Sequence, residues 1–104
     1  MPKRHVAVIS DKYIATAFRL IGVESYPVKT PREAAEALEK IARREDIGIV
    51  LVASEFYGDK AVQERIKLVL RERPEMLISK LPTPRSPGKP VDMRKKLLQA
   101  LGIG

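Results

Sequence analysis

His5-Val6-Ala7-Val8-Ile9-Ser10-Asp11, followed by Ala17-Phe18-Arg19-Leu20-Ile21-Gly22-Val23, decides the fold of this chain. An apolar, β-branched run ends in a polar turn, and a helix-period stretch then stops at a glycine. Ile14, Ala17, Phe18 and Ile21 fall at i, i+3, i+4 and i+7, one apolar stripe of a helix over about residues 12–21. Ser10 or Asp11 can accept the free N–H groups of its first turn, and Gly22 can end it in a left-handed conformation. Strand, turn and helix in this order make the first half of a βαβ unit, the building block of parallel sheets.

The same alternation continues outward. Ser25 to Val28 reads as a short strand. Pro27 removes a ladder donor and assigns it to a sheet edge. Thr30-Pro31-Arg32-Glu33 is a capping box with proline in the first helical position. Ala34, Leu38, Ile41 and Ala42 supply the buried face of the helix it opens. Ile47 to Val52 is continuously apolar, as a central strand covered on both faces must be. Gly58-Asp59 opens a third helix to about Arg71, with Val62, Ile66, Val69 and Leu70 inward. Met76 to Leu81 is a fourth strand, and its Ser79 and Lys80 suit an exposed edge. Two interior and two edge strands joined by right-handed crossovers predict a small doubly wound four-stranded parallel α/β sheet of order 2-1-3-4, with helices on both faces.

After residue 81 the character changes. Residues 82–90 hold Pro82, Pro84, Pro87 and Pro90 with Gly88, which bars regular structure and favours an extended connector. Asp92 then caps a last helix from Met93 to about Leu101, ended by Gly102. Met93, Leu97, Leu98 and Leu101 form its apolar stripe, and Arg94, Lys95 and Lys96 its basic side. The expected organisation is an α/β sandwich over 1–81, a connector over 82–90 and a loosely tethered amphipathic helix over 91–104.

The 104 residues fit one domain. No apolar run approaches the length that crosses a bilayer, and Met1 to Arg4 leads into a strand with no signal-like segment. Without cysteine there are no disulfides, thiolate metal sites or thiol catalysis, and a reducing cytoplasmic setting is expected. The net charge of +7 is unevenly placed. Residues 1–59 hold nine Lys/Arg against nine Asp/Glu, whereas residues 60–104 hold eleven against four. Such asymmetry predicts an acidic partner, whether protein, nucleic acid or anionic membrane.

Catalytic signatures of doubly wound folds are missing. The first strand runs into Ser10-Asp11-Lys12, not the glycine turn that lets a pyrophosphate reach a helix N-terminus, and no phosphate loop occurs. A phosphorelay receiver domain needs a phosphoacceptor Asp after its third strand and a fifth strand. Here the third strand ends Val52-Ala53-Ser54-Glu55. His5, the single histidine, reads as structural. Ser10 and Asp11 occupy the strand end where α/β folds bind ligands, yet helix capping explains them. Glu55, Phe56 and Tyr57 either form a contact patch or roof the core. No catalytic residue, cofactor or metal is expected.

In order and spacing, several phrases together resemble the F subunit of the archaeal and vacuolar-type rotary ATPases. They are Val6-Ala7-Val8-Ile9-Ser10-Asp11, Ala17-Phe18-Arg19-Leu20-Ile21-Gly22-Val23, Asp46-Ile47-Gly48-Ile49-Val50-Leu51-Val52, and a late Leu81-Pro82-x-Pro with Ser86-Pro87-Gly88. This chain has Ala17 where the family often has Gly, and Ser54-Glu55 where Thr-Glu is common. The resemblance implies a non-catalytic central-stalk (rotor) component on the cytoplasmic face of a membrane complex. The partner it implies is the coiled-coil D subunit of the stalk, with the catalytic head as a second candidate surface. It also implies modulation of ATP hydrolysis or synthesis coupled to proton or sodium transport. Carried across, Met93, Arg94, Lys95, Lys96, Leu97, Leu98 and Leu101 contact the partner, with Pro82, Pro84, Pro87, Gly88 and Pro90 as the hinge. A small basic RNA-binding α/β protein of ribosomal type is the alternative. Its expected stacking aromatics are sparse here. A ligand sensor using Ser10, Asp11 and Glu55 is a third reading.

If the last helix is detachable, a chain ending at Leu81 keeps the circular dichroism spectrum and cooperative melt of the α/β domain. Loss of the cooperative melt would make that helix part of the core.

Overall fold

The computed structural model describes residues 5–83 and Gly102. Pro84, Pro87, Gly88, Pro90 and residues 93–101 lie outside the described residues, whereas Pro82 is described and exposed. The elements are β1 (His5–Ser10), α1 (Lys12–Leu20), β2 (Glu24–Pro27), α2 (Pro31–Ala42), β3 (Ile47–Ala53), α3 (Ser54–Tyr57), α4 (Lys60–Glu72) and β4 (Leu77–Leu81). The sheet is parallel throughout, in the expected order β2-β1-β3-β4. Differences from the sequence reading are one or two residues at most boundaries, plus the short helix α3, which no sequence signal announces.

The two interior strands carry the core. Ala7, Val8 and Ile9 on β1 and Ile47, Val50 and Val52 on β3 are fully buried. One face of the sheet, with Ala7, Ile9, Val50 and Val52, packs beneath α2 and α4 through Ala34, Leu38, Ile41, Val62, Ile66 and Val69. The other face holds a smaller cluster of Val8, Ile14, Phe18 and Leu81 beneath α1. Burial of each large side chain contributes about 1.5–3 kcal/mol. The exposed i,i+4 pairs Arg32–Glu36 and Arg43–Glu39 contribute about 0.3–0.5 kcal/mol each. Apolar layering therefore holds the fold.

Pairing between β1 and β3 shifts register after His5, whose partner is Ile47, to Val6, whose partner is Ile49. Gly48 is skipped, which is where a glycine inside a strand is expected to mark an irregularity. Thr30 caps α2 by accepting the Glu33 N–H at 3.1 Å. Glu33 reaches back one residue further than in a standard capping box, accepting the Lys29 N–H at 3.0 Å. Gly22, with φ of +86°, turns the chain from α1 into β2, and only glycine adopts that geometry without strain. Ile21 departs from expectation. Helix α1 ends at Leu20, so Ile21 leaves the core stripe and is 53% exposed.

At the end of the sheet where β1 and β3 begin, arginines tie elements together. Arg44 makes a bidentate pair with Asp46, at 3.0 and 2.6 Å, and a 2.6 Å ion pair with Glu24. Tyr26 donates its hydroxyl to the same Glu24 carboxylate at 2.6 Å. Arg73 donates to the carbonyls of Arg44 and Ile47, and its Nε pairs with Glu75 at 2.9 Å. The ends of α2 and α4 are thus fixed to the starts of β2 and β3. Bonding to Arg44 is the main cause that holds the Asp46 carboxyl below its ordinary value. A lowered carboxyl value stabilises the fold above the unfolded-state value, and that stabilisation is lost as pH falls through the folded-state value. We expect Asp46→Asn to melt below the wild type at pH 7, with the gap closing once both are acidified below the carboxylate range. A gap that persists in acid would assign the loss to packing.

Candidate functional site

In a doubly wound sheet, ligands bind where the strand order reverses, outside the carboxyl ends of the strands. Here that point lies between β1 and β3, and it carries a shallow cavity of about 450 Å³. Its walls include Asp11 and Tyr13 after β1, Lys29 after β2, Glu33 on α2, and Glu55 and Phe56 on α3. The elements that place these side chains also engage several of them. Asp11 Oδ1 accepts the N–H groups of Tyr13 and Ile14 at 2.8 and 3.1 Å, capping α1. Glu33 closes the start of α2. The Lys12 ammonium lies 5.2 Å from the Tyr13 ring centre. Ser10, fully buried, donates its hydroxyl to the Asp11 carbonyl at 3.1 Å. Capping is therefore the role of Asp11, whereas the Ser10 hydroxyl bonds the adjacent carbonyl and caps no helix N–H.

The loop after β3 is decided too. Phe56 is buried, and Tyr57 is half-buried against the same core, so the two aromatics roof the α2/α4 layer. His5 sits at the opposite end of the sheet, exposed, with its backbone N–H donating to the Asp46 carbonyl at 2.8 Å. No group of three His, Cys, Asp or Glu able to hold a metal occurs among the described residues. No helix among them is long and apolar enough to cross a membrane.

The sequence-predicted partner-contact residues 93–98 and 101 lie outside the described residues. The structure does define where the connector departs. Ser54 and Thr83 hydroxyls are 3.0 Å apart, and the Thr83 N–H donates to Ser54 Oγ at 3.3 Å. Contacts with the α/β body therefore run two residues beyond the expected boundary at Leu81. Sequence reading also missed a second apolar flank of α1, on Tyr13, Ala17, Leu20 and Ile21. Its signal is their i, i+4, i+7 and i+8 spacing, masked because Ala17 and Ile21 fit the core stripe equally well.

These features define a small four-stranded doubly wound α/β protein in which the cavity at the strand ends is lined in part by the helix-capping residues Asp11 and Glu33. Residues 6–97 match the family model of the ATP synthase (F/14-kDa) subunit, and the chain belongs to that family. Among its relatives is the A-type ATP synthase F subunit of Archaeoglobus fulgidus, 24% identical over 101 residues, covering 96% of this chain and 95% of the relative. The corresponding protein of Methanococcus vannielii is 32% identical over 74 residues, covering 67% and 73%. The crystal structure of the V-type ATP synthase F subunit from Archaeoglobus fulgidus shares the fold. It has a TM-score of 0.55 at 23% identity and covers 73% of this chain and 96% of that one.

If Asp11 serves as a cap, Asp11→Ala costs about 1 kcal/mol in urea unfolding, and Asp11→Asn costs a few tenths at most. Equal losses for both would point to a role for the charge itself.

Proposed function

We propose that this chain is the F subunit of an A-type or V-type ATP synthase, a non-catalytic component of the central stalk. In this reading it binds the coiled-coil D subunit on the cytoplasmic face of the complex. It modulates ATP hydrolysis and synthesis coupled to proton or sodium movement. The observation that carries this reading is the family match, which spans residues 6–97 and so extends from the first strand into the basic C-terminal segment. The capped strand ends support an assembly role over a catalytic one.

Within that reading, Met93, Leu97, Leu98 and Leu101 form the apolar stripe that meets the stalk, and Arg94, Lys95 and Lys96 face acidic surfaces of the stalk or head. Residues 82–90 act as the hinge. An amphipathic helix of this kind binds by laying its apolar stripe into a groove, while flanking charges set orientation and encounter rate. The excess of positive charge beyond residue 59 suits such a partner.

The test is the light-scattering mass of the full chain co-expressed with the D subunit of the same organism, at high salt. A one-to-one complex is expected. A lone 11.7 kDa species would oppose the stalk reading. If that species bound RNA with an affinity falling steeply with salt, the RNA-binding alternative would take its place. Exchanging Leu97 and Leu98 for Asp should weaken the complex roughly tenfold or more and leave the sheet intact. Unchanged affinity would place the interface elsewhere.

A further inference from the structure

We infer that the solvent face of α4 is a docking stripe for an acidic helix of the stalk partner, separate from the C-terminal segment. The inference rests on the proposed stalk function and names a further surface that meets the partner.

Helix α4 buries Val62, Ile66 and Val69. On its opposite side Lys60, Glu64, Lys67 and Arg71 fall at i, i+4, i+7 and i+11, a straight stripe about 16 Å long. All four are exposed. Lys80, exposed on edge strand β4, alternates with Ile78 and so stands on the sheet face that α2 and α4 cover. Glu64 is the one carboxylate among these residues, set against the four cations. None of the described ion pairs includes any of the five. Neighbouring carboxylates are committed elsewhere. Asp59 accepts the Ala61 N–H at 2.9 Å, Glu75 pairs with Arg73, and Glu72 lines the cleft between α4 and α2 with Arg43 and Arg65.

A charged, solvated face is ordinary on a surface helix, and α2 shows its usual form. There Glu33 lies in the first turn and Lys40 in the last, and Arg32–Glu36 and Glu39–Arg43 pair at i,i+4. Helix α4 departs from that form. Lys60 puts a cation at the positive end of the helix dipole, and the first turn holds no acidic residue. Lys67 and Arg71 place like charges four residues apart, which weakens a helix. Nothing within the fold offsets these costs. A local rule broken without an internal gain is characteristic of a binding surface.

The chemistry of the stripe selects its occupant. The chain's own tail is repelled, since residues 84–104 hold Arg85, Lys89, Arg94, Lys95 and Lys96 against Asp92 alone. A second copy carries the same stripe and the same net charge of +7. Against nucleic acid, Glu64 would set a carboxylate beside the phosphates, and α4 has no aromatic side chain on which a base could stack. A protein helix laid along α4 meets every requirement, with carboxylates opposite Lys60, Lys67 and Arg71 and a cation opposite Glu64. A coiled coil presents straight helices of this kind. Exposed charge pairs set encounter rate, orientation and salt dependence more than final affinity. They therefore complement the apolar contact proposed for the C-terminal helix.

The test measures association of the D subunit with the full-length wild type, the K60Q/K67Q/R71Q variant and an R32Q/K40Q/R43Q control. The control removes the same charge from α2. All six positions are exposed, and unchanged melts and circular dichroism spectra serve as the folding control. At about 0.01 M salt, where charges act over about 30 Å, the stripe variant is expected to associate at least roughly tenfold more slowly than wild type. At about 1 M salt that range falls to about 3 Å, and the difference is expected to close. No complex with wild type at either salt would sink the stalk reading and this inference with it. A wild-type complex that the stripe variant forms at an equal rate would sink the stripe alone. So would an equal slowing by the control, which would assign the effect to net charge, or a deficit undiminished at high salt, which would assign it to packing. Binding of polyuridylate that the stripe variant loses, with D-subunit association unchanged, would give the face to RNA and overturn the inference.

Discussion

The parallel pairing of β1 with β3 is the constraint on which the rest of this structure depends. β1 is buried on both faces over Ala7 to Ile9, and β3 is buried beneath α2 and α4 with Ile49 and Leu51 half-buried on its other face, so both strands are apolar and their backbone groups must pair with neighbouring strands. Once they lie side by side, right-handed crossovers leave only the outer positions for β2 and β4. Pro27 on one edge and Lys80 on the other are tolerated because neither interrupts an interior ladder. The reversal of strand order between β1 and β3 also fixes where a ligand crevice would open. In this chain the capping residues Asp11 and Glu33 form part of the walls of the shallow cavity there.

The two ends of the sheet are built for different work. Where the interior strands begin, Arg44 and Arg73 bind carboxylates and carbonyls from several elements and leave little slack. At the opposite end, Ser54 and Thr83 hold the chain against the end of β3, so the connector leaves from a fixed point. Under the proposed stalk role, in which residues 82–90 act as the hinge, that anchoring matters because a hinge transmits or resists displacement only if its near side is held.

Much of this was legible in local sequence. The Thr30-Pro31-Arg32-Glu33 box located α2, and the continuous apolar run of β3 identified it as interior. Pro27 and Lys80 identified the edges, and Gly22 the turn after α1. Each signal is local, acting within a few residues of the backbone it shapes. The register shift at Gly48 and the single-turn helix α3 were not legible. Both are set by what neighbouring strands and the core roof require of the backbone. The Arg44–Glu24–Asp46 cluster joins residues up to twenty positions apart, and no periodicity announces it.

By itself, then, the sequence determined the parallel α/β class, the strand order and a cap for α1 at Ser10 or Asp11, because burial period, turn chemistry and crossover handedness act locally or follow general rules. It also determined the unbalanced charge and the proline-rich break after Leu81, which are properties of composition. Only the tertiary structure decided which apolar residues stay uncovered. Ile21 and Leu77 resemble core residues in sequence. They are exposed because α1 ends one residue early and because no second described helix lies beside it over β3 and β4. Solvent exposure depends on what else is packed nearby, and that is a property of the assembled layers.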